Sequence, residues 1–544
     1  MSSQAAYDGG GQPLLGSIFN NPLLWGSFHD FGQARRGGWF EREPEPEQHE
    51  APKDYFTSPE LLKIIKGQNP GKPVAVHVED TGDMWSLGLD NPGKAEPPNK
   101  HGMVCAAILR GAADGNKESF LGYQMDADPY TRDTLARVAA NPAVKVMTIS
   151  MVKGINEDNA SRLPAADRLT ILAAAGNFGD DERTSGVMRT AGPVHYAPGF
   201  LRVGEVDPNG MPSAHSNADG PAFMCENPLT KRDLSAQFYP TIRELQAFQM
   251  ERDGDAYDAR TFARYFPTQE TQGSKEAMQG TSFATPEAGR MIMHATANFD
   301  GIKNYDVIPA VLLAAQMSAP PTHPIGRYGN VTVAQVTNGA GLRFGTLRYG
   351  FGVLKEDALA EKIKRVWELR AASPTTVNGQ LSDPQIVDAK TKTTRDGYGN
   401  DYTMKVDAGR QGTIVNTTLS LTFNRAGGAI PIQAEIESPS GTKLTVPLIY
   451  KERLGASREA IAVTPAFFGE KKMDGDWKIS LPDQGNSLVA ASISFATLKP
   501  GSPGAQLLDE FKAPQETPPR PQEPRYRPIP QPQPRYRDPF DFFN

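Results

Sequence analysis

Cysteine is nearly absent: 544 residues carry only Cys105 and Cys225. Two cysteines exclude a disulfide-rich framework. One bridge between them stays open, and two separate thiols is the preferred reading. Long apolar runs are missing as well, since stretches such as AVLLAAQM suit a buried helix and not a membrane span. The N-terminus, MSSQAAYDGGGQPLLGSIFNN, has neither a basic leader nor a long apolar core. No standard signal peptide is visible, which points to an intracellular protein or to export by a non-standard route. No excess of positive charge exists either: 57 basic against 63 acidic residues give a net charge of −6, which argues against a nucleic-acid partner.

What is present is globular. The 38% hydrophobic content supports a sizeable core, and the length suggests two or three domains. Residues 1–52 are glycine-rich and end in the acidic, proline-spaced EREPEPEQHEAPKD, a solvated extension or a pro-segment. From 53 to 372, short aliphatic runs (KPVAVHV, VKVMTISM, LTILAAAG, FLRVGEV) alternate with helix-like segments such as HGMVCAAILRG. The expected fold is α/β, a mostly parallel sheet with helices on both faces. A linker covers 373–394. From 395 to 500, DYTMKVDAG, TIVNTTLSLTF and KLTVPLIY are β-rich with glycine, asparagine and proline turns, as in an all-β sandwich. Residues 501–544 are proline-rich, repeat PRYR, and read as an extended tail and a candidate docking peptide for a partner.

The stretch Gly280–Pro286, GTSFATP, runs a small turn into a helical segment with proline in its first turn. Ser282 therefore stands at a helix mouth. That position serves a nucleophile facing developing negative charge, and it equally serves a helix cap. A serine nucleophile needs a base, an acid to orient the base, and oxyanion donors. Asp80 follows the strand KPVAVHVE and opens the turn EDTGD, His101 begins HGMVCAAIL, and Asn177 follows LTILAAAG. These are the strand ends and helix starts where open α/β sheets carry their sites.

In this order the motifs resemble those of the subtilisin-like serine proteases. Asp80-Thr81-Gly82 matches the aspartate signature, and His101-Gly102 with its small-residue helix matches the histidine signature. Ala174-Ala175-Gly176-Asn177 matches the oxyanion signature, and Gly280–Pro286 matches the serine signature at every fixed position. The resemblance implies a serine endopeptidase acting on protein or peptide substrates, with Ser282 as nucleophile, His101 as base and Asp80 as its orienting acid. Asn177 would bind the oxyanion. Ser150, Met151 and Val152, with Ala174, Ala175 and Gly176, would line the substrate cleft. No cofactor is implied for the chemistry. Structural calcium is common in the family, but no compact Asp-rich loop fixes a metal site here. Cys105, one helical turn after His101, occupies a place where kexin-like and proteinase K-like members also carry cysteine, and it reads as a small buried residue.

The region around Ser438-Pro439-Ser440-Gly441-Thr442, Gly469-Glu470 and Gly475-Asp476-Trp477 resembles the P-domain of kexins, a jelly-roll sandwich. A carbohydrate- or partner-binding sandwich is the alternative. Thr81 stands where kexins often have a second acid, Glu79 where an aliphatic residue is usual, and His77 shares a strand face with Glu79. Val152 and Lys153 stand where relatives often have two glycines, and a charged insertion precedes Ser282. These departures keep open a second function: a latent, scaffolding protein on the same frame, acting through its β region and tail.

Overall fold

The computed structural model describes residues within 67–80, 105–109, 121–127, 138–150, 169–177, 200–228, 280–318, 322–345, 349–372, 385–424, 433–451 and 457–512. Its central sheet has six strands: β1 (Val74–Asp80), β2 (Leu121–Ala127), β3 (Val144–Ile149), β4 (Thr170–Ala174), β5 (Phe200–Val206) and β6 (Phe223–Glu226). They run in the order β2-β1-β3-β4-β5-β6, and every neighbouring pair is parallel. β2 and β6 were not among the expected strands. β2 reads LGYQMDA and β6 is four residues long, so neither shows the continuous apolar run of a fully buried parallel strand.

Register sets which residues meet the helices. Ala75 pairs with Val146 and His77 with Thr148, and this row continues through Leu172, Leu201 and Val203. It packs against α1 (Thr281–Ala297), which contacts β1, β3, β4, β5 and β6. A Cβ on Gly289 would lie 2.7 Å from the Thr148 methyl and 2.9 Å from Leu109. Glycine at that position lets α1 sit directly on the sheet. α2 (Asn304–Gln316) follows, and its start is tied by the Lys303 N–H donating to Asp306 at 3.1 Å. Two short ribbons come next: β7 (Thr322–Pro324) with β8 (Asn330–Thr332), then β9 (Gln335–Thr337) with β10 (Arg343–Gly345). α3 (Glu356–Ala372) packs on α2 and α1.

The C-terminal region is entirely antiparallel. One sheet orders β11 (Gln385–Asp388), β20 (Leu488–Leu498), β14 (Thr413–Asn424), β18 (Ser457–Thr464) and β17 (Ile449–Lys451). The other orders β12 (Lys390–Arg395), β13 (Asp401–Asp407), β19 (Gly475–Ser480), β15 (Gln433–Glu437) and β16 (Lys443–Pro447). β13 alternates between buried and open positions, the pattern of a strand with one face on a core. Trp477 of β19 lies 5.6 Å from Phe495 of β20 and 4.9 Å from Phe467, ring centre to ring centre. Its indole N–H donates to Met473 O at 2.9 Å, so the largest buried side chain leaves no polar atom unpaired.

Two expectations are corrected. Strands begin at 385, inside the segment read as a linker. Its KTKTTR piece is polar because β12 buries almost nothing, and polarity alone resembled a linker. The segment read as the start of an extended tail forms α4 (Pro503–Lys512). Proline is tolerated there because it holds the first helical position, and Ala505, Leu507 and Leu508 bury one face against α2 and α3. Both cysteines are buried, with no disulfide between them.

Candidate active site at the mouth of α1

The carboxyl ends of β1, β3 and β4 and the start of α1 are the elements that carry the expected residues. Asp80 is the last residue of β1, Ser150 directly follows β3, and Ala174–Asn177 forms the exit from β4. The side chain of Asp80, all of His101, and Met151 and Val152 lie outside the described residues. The helical turn after His101 is described at Cys105, Ala106, Ile108 and Leu109.

α1 starts from Gly280, whose φ of 142° favours glycine. The first N–H groups of a helix have no partner inside it. Here each can be followed. The Gly280 N–H donates to Glu205 Oε1 at 3.0 Å, and the Thr281 N–H donates to Asn177 Oδ1 at 2.8 Å. The Phe283 N–H turns back to Gly280 O at 3.0 Å. The Ser282 N–H has no acceptor among the described residues. Thr281 completes the frame: its hydroxyl donates to Asn177 Oδ1 and accepts the Gly176 N–H, both at 3.0 Å. With Oδ1 taking two donors, the amide of Asn177 is oriented and Nδ2 is its outward donor. A Cβ on Gly280 would come within 3.0 Å of that nitrogen, so a side chain there would crowd it.

Pro286 lies in the second turn of α1, one turn further in than its sequence suggested. Lacking an N–H, it cannot bond the carbonyl four residues back, which is that of Ser282. Two side chains take the vacated acceptor: Ser150 Oγ donates to Ser282 O at 2.8 Å and Cys105 Sγ at 3.3 Å. The Ser282 hydroxyl donates to Ser150 O at 3.3 Å, and the residue is 8% exposed. Proline inside the motif thus ties the nucleophile candidate to the end of β3 and to the turn that follows His101.

Ser282, Asn177, Ser150 and the Ala174–Gly176 turn are therefore brought together. His77, expected beside Glu79, shares a hydrogen bond with Thr148 Oγ1 at 3.0 Å, and Glu79's side chain is outside the described residues. Sequence reasoning missed two members of the cluster. Thr281 was read only as part of a motif. Glu205 was passed over, although a carboxylate within the strand FLRVGEV is an audible exception to its apolar pattern. Burial pushes the Cys225 thiol well up, with Glu287 adding to the shift, so it stays protonated. Among the described residues, no group of three or more His, Cys, Asp or Glu could hold a metal ion, and no helix is long and apolar enough to cross a membrane.

No protein-family model and no curated protein matches the chain. Among solved structures, it is similar to the serine protease of Aeromonas sobria at 14% identity, covering 78% of this chain and 89% of that one, with a TM-score of 0.45. It is also similar to MycP1 from Mycobacterium smegmatis (18% identity, 58% and 86% covered, TM-score 0.28) and to a lanthipeptide protease (14%, 57% and 94%, TM-score 0.31). At these values the fold rests on strand order and register, and the site on its hydrogen bonds.

Proposed function

We propose that the chain is a subtilisin-like serine endopeptidase. The observation that carries this reading is the distribution of donors at the mouth of α1. The N–H groups of Gly280, Thr281 and Phe283 are taken by Glu205, Asn177 and the helix itself, while the Ser282 N–H and Asn177 Nδ2 have no acceptor among the described residues. Two such donors at a helix N-terminus suit a carbonyl oxygen that gains negative charge.

In this reading Ser282 Oγ attacks the scissile carbonyl carbon and His101 takes the hydroxyl proton. The oxyanion binds Asn177 Nδ2 and the Ser282 N–H. The tetrahedral intermediate collapses to an acyl-enzyme, the C–N bond breaks, and His101 returns the proton to the leaving amine. Water repeats the sequence and frees the acid. Asp80 orients the imidazole. Ser150, Met151 and Val152 on one side and Ala174–Gly176 on the other form the substrate cleft, and the substrates are proteins or peptides.

The antiparallel region acts as a P-domain-like sandwich that braces the catalytic part, and the proline-rich tail serves docking. One observation favours a second reading, a latent frame: the Ser282 hydroxyl is turned to Ser150 O. Hydrolysis of a quenched casein substrate by the wild type, compared with Ser282→Ala, separates the two. The protease reading expects turnover by the wild type alone, and equal traces for both proteins contradict it.

A further inference from the structure

Glu205 is an acidic side chain in an unusual place. It is 1% exposed near the carboxyl end of β5, the strand next to one edge of the sheet, on the same strand face as Leu201 and Val203, which pack against α1. A buried carboxylate is retained only where hydrogen bonds replace water. Oε1 accepts two: from the Asn227 amide at 2.8 Å and from the Gly280 N–H at 3.0 Å. Oε2 has no donor among the described residues.

The Gly280 N–H is the N-cap donor of α1. In a common helix start, the side chain three residues into the helix reaches back to accept it. In α1 that residue is Phe283, and no acid lies in the first turn. The N-cap residue is a glycine with no side chain of its own to offer. α1 therefore lacks both local capping devices, and a carboxylate from β5, 75 residues earlier, supplies the missing acceptor. A carboxylate at a helix N-terminus also faces the positive end of the helix dipole.

We propose that Glu205 is a positioning residue for the nucleophile, acting as a helix cap delivered from the sheet. It fixes the Gly280 peptide, and Gly280 fixes the angle at which Thr281 and Ser282 enter the helix. The alignment of the Ser282 N–H with Asn177 Nδ2 then depends on a group that touches neither substrate nor serine hydroxyl. Asn227 holds the carboxylate in its rotamer. An accepting oxygen is required at that point, because a donor there would oppose the Gly280 N–H.

The inference rests on reading Ser282 as the nucleophile. The test is the kinetics of fluorophosphonate labelling on the full chain, with the inactivation rate, the half-saturating probe concentration and the final stoichiometry read separately. Glu205→Ala should label to full stoichiometry and with unchanged half-saturation, but about 10-fold or more slowly, the scale of a small misplacement. Glu205→Gln keeps an oxygen for Gly280 and should stay within about threefold of wild type, a rescue that distinguishes an acceptor from mere bulk. A merely structural role would instead lower the labelled fraction at an unchanged rate.

If Glu205→Ala does not fold, Glu205→Asp, one methylene too short to reach Gly280, is expected to be slow in the same way. Wild-type rates in the folded Ala or Asp variant would overturn the proposal while leaving Ser282 as the nucleophile. No labelling of the wild type would instead overturn the nucleophile reading itself, and the inference with it.

Discussion

Two buried glutamates hold glycine N–H groups from distant segments, one at the mouth of α1 and one at the joint with the antiparallel region. At the joint, Glu470 is 2% exposed and both of its carboxylate oxygens are engaged. Oε1 accepts the Gly339 N–H at 3.1 Å and the Thr442 hydroxyl, and Oε2 accepts Ser438 Oγ at 2.8 Å. Asn338 beside it uses its whole amide: Nδ2 donates to Ala466 O and Phe468 O at 2.9 Å, while Oδ1 accepts two N–H groups at 3.0 Å. A second staple joins Asn416 Nδ2 to Phe200 O at 2.9 Å. At the helix mouth the Ser282 N–H and Asn177 Nδ2 have no acceptor among the described residues. A joint that only holds can satisfy every valence, whereas a site that must receive a ligand keeps some open.

Substitutions that break this contrast should divide cleanly into those that stop chemistry and those that loosen the molecule. The largest effect is expected from Ser282→Ala, which should abolish hydrolysis of a peptide substrate and leave the circular dichroism spectrum unchanged. Asn177→Ala removes an oriented donor and should lower kcat by about 10²–10³-fold with little change in KM, measured on the same substrate.

Glu470→Ala strands three buried donors at the joint. It should lower the unfolding free energy by about 3 kcal/mol in a urea titration while leaving labelling at Ser282 within about threefold. A large loss of labelling in that variant would mean that the joint and the mouth are not separable. The smallest effect concerns pH. Hydrogen bonding from His294, with Arg290 adding its charge, holds the Glu356 carboxyl down to about 2 from an ordinary 4.5. A depressed carboxylate contributes stability that is present above about pH 4.5 and fades as pH falls toward 2. Glu356 is 43% exposed, so solvent shrinks the contribution. Glu356→Gln should flatten that part of the Tm-against-pH curve without moving activity at neutral pH.

The parallel sheet was legible where burial on both faces leaves a continuous apolar run, as in KPVAVHV, VKVMTISM, LTILAAAG and FLRVGEV. It was not legible in β2 and β6, where polar residues or brevity hide that signal. α4 was obscured by the proline and glycine at its start, which composition reads as extension although proline suits a first helical position. At the site, the motifs around Ser282 and Asn177 marked two segments that meet through Thr281, whose N–H and hydroxyl both donate to Asn177 Oδ1. The sequence could not show that Pro286 frees the Ser282 carbonyl for Ser150 and Cys105, because that follows from an absent N–H in the second turn. Nor could it pair Glu205 with Gly280, a contact made only when β5 and α1 are laid side by side.

The proposed role of Ser282 is that of an activated nucleophile served by two donors, its own N–H and Asn177 Nδ2, that have no acceptor among the described residues. Its most direct test is to label the full chain with a fluorophosphonate and locate the adduct by peptide mass mapping, with Asn177→Ala run in parallel. One adduct is expected on the peptide bearing Ser282, with a rate about 10²-fold lower in the variant. An adduct elsewhere, none at all on the folded protein, or an equal rate in the variant would contradict it.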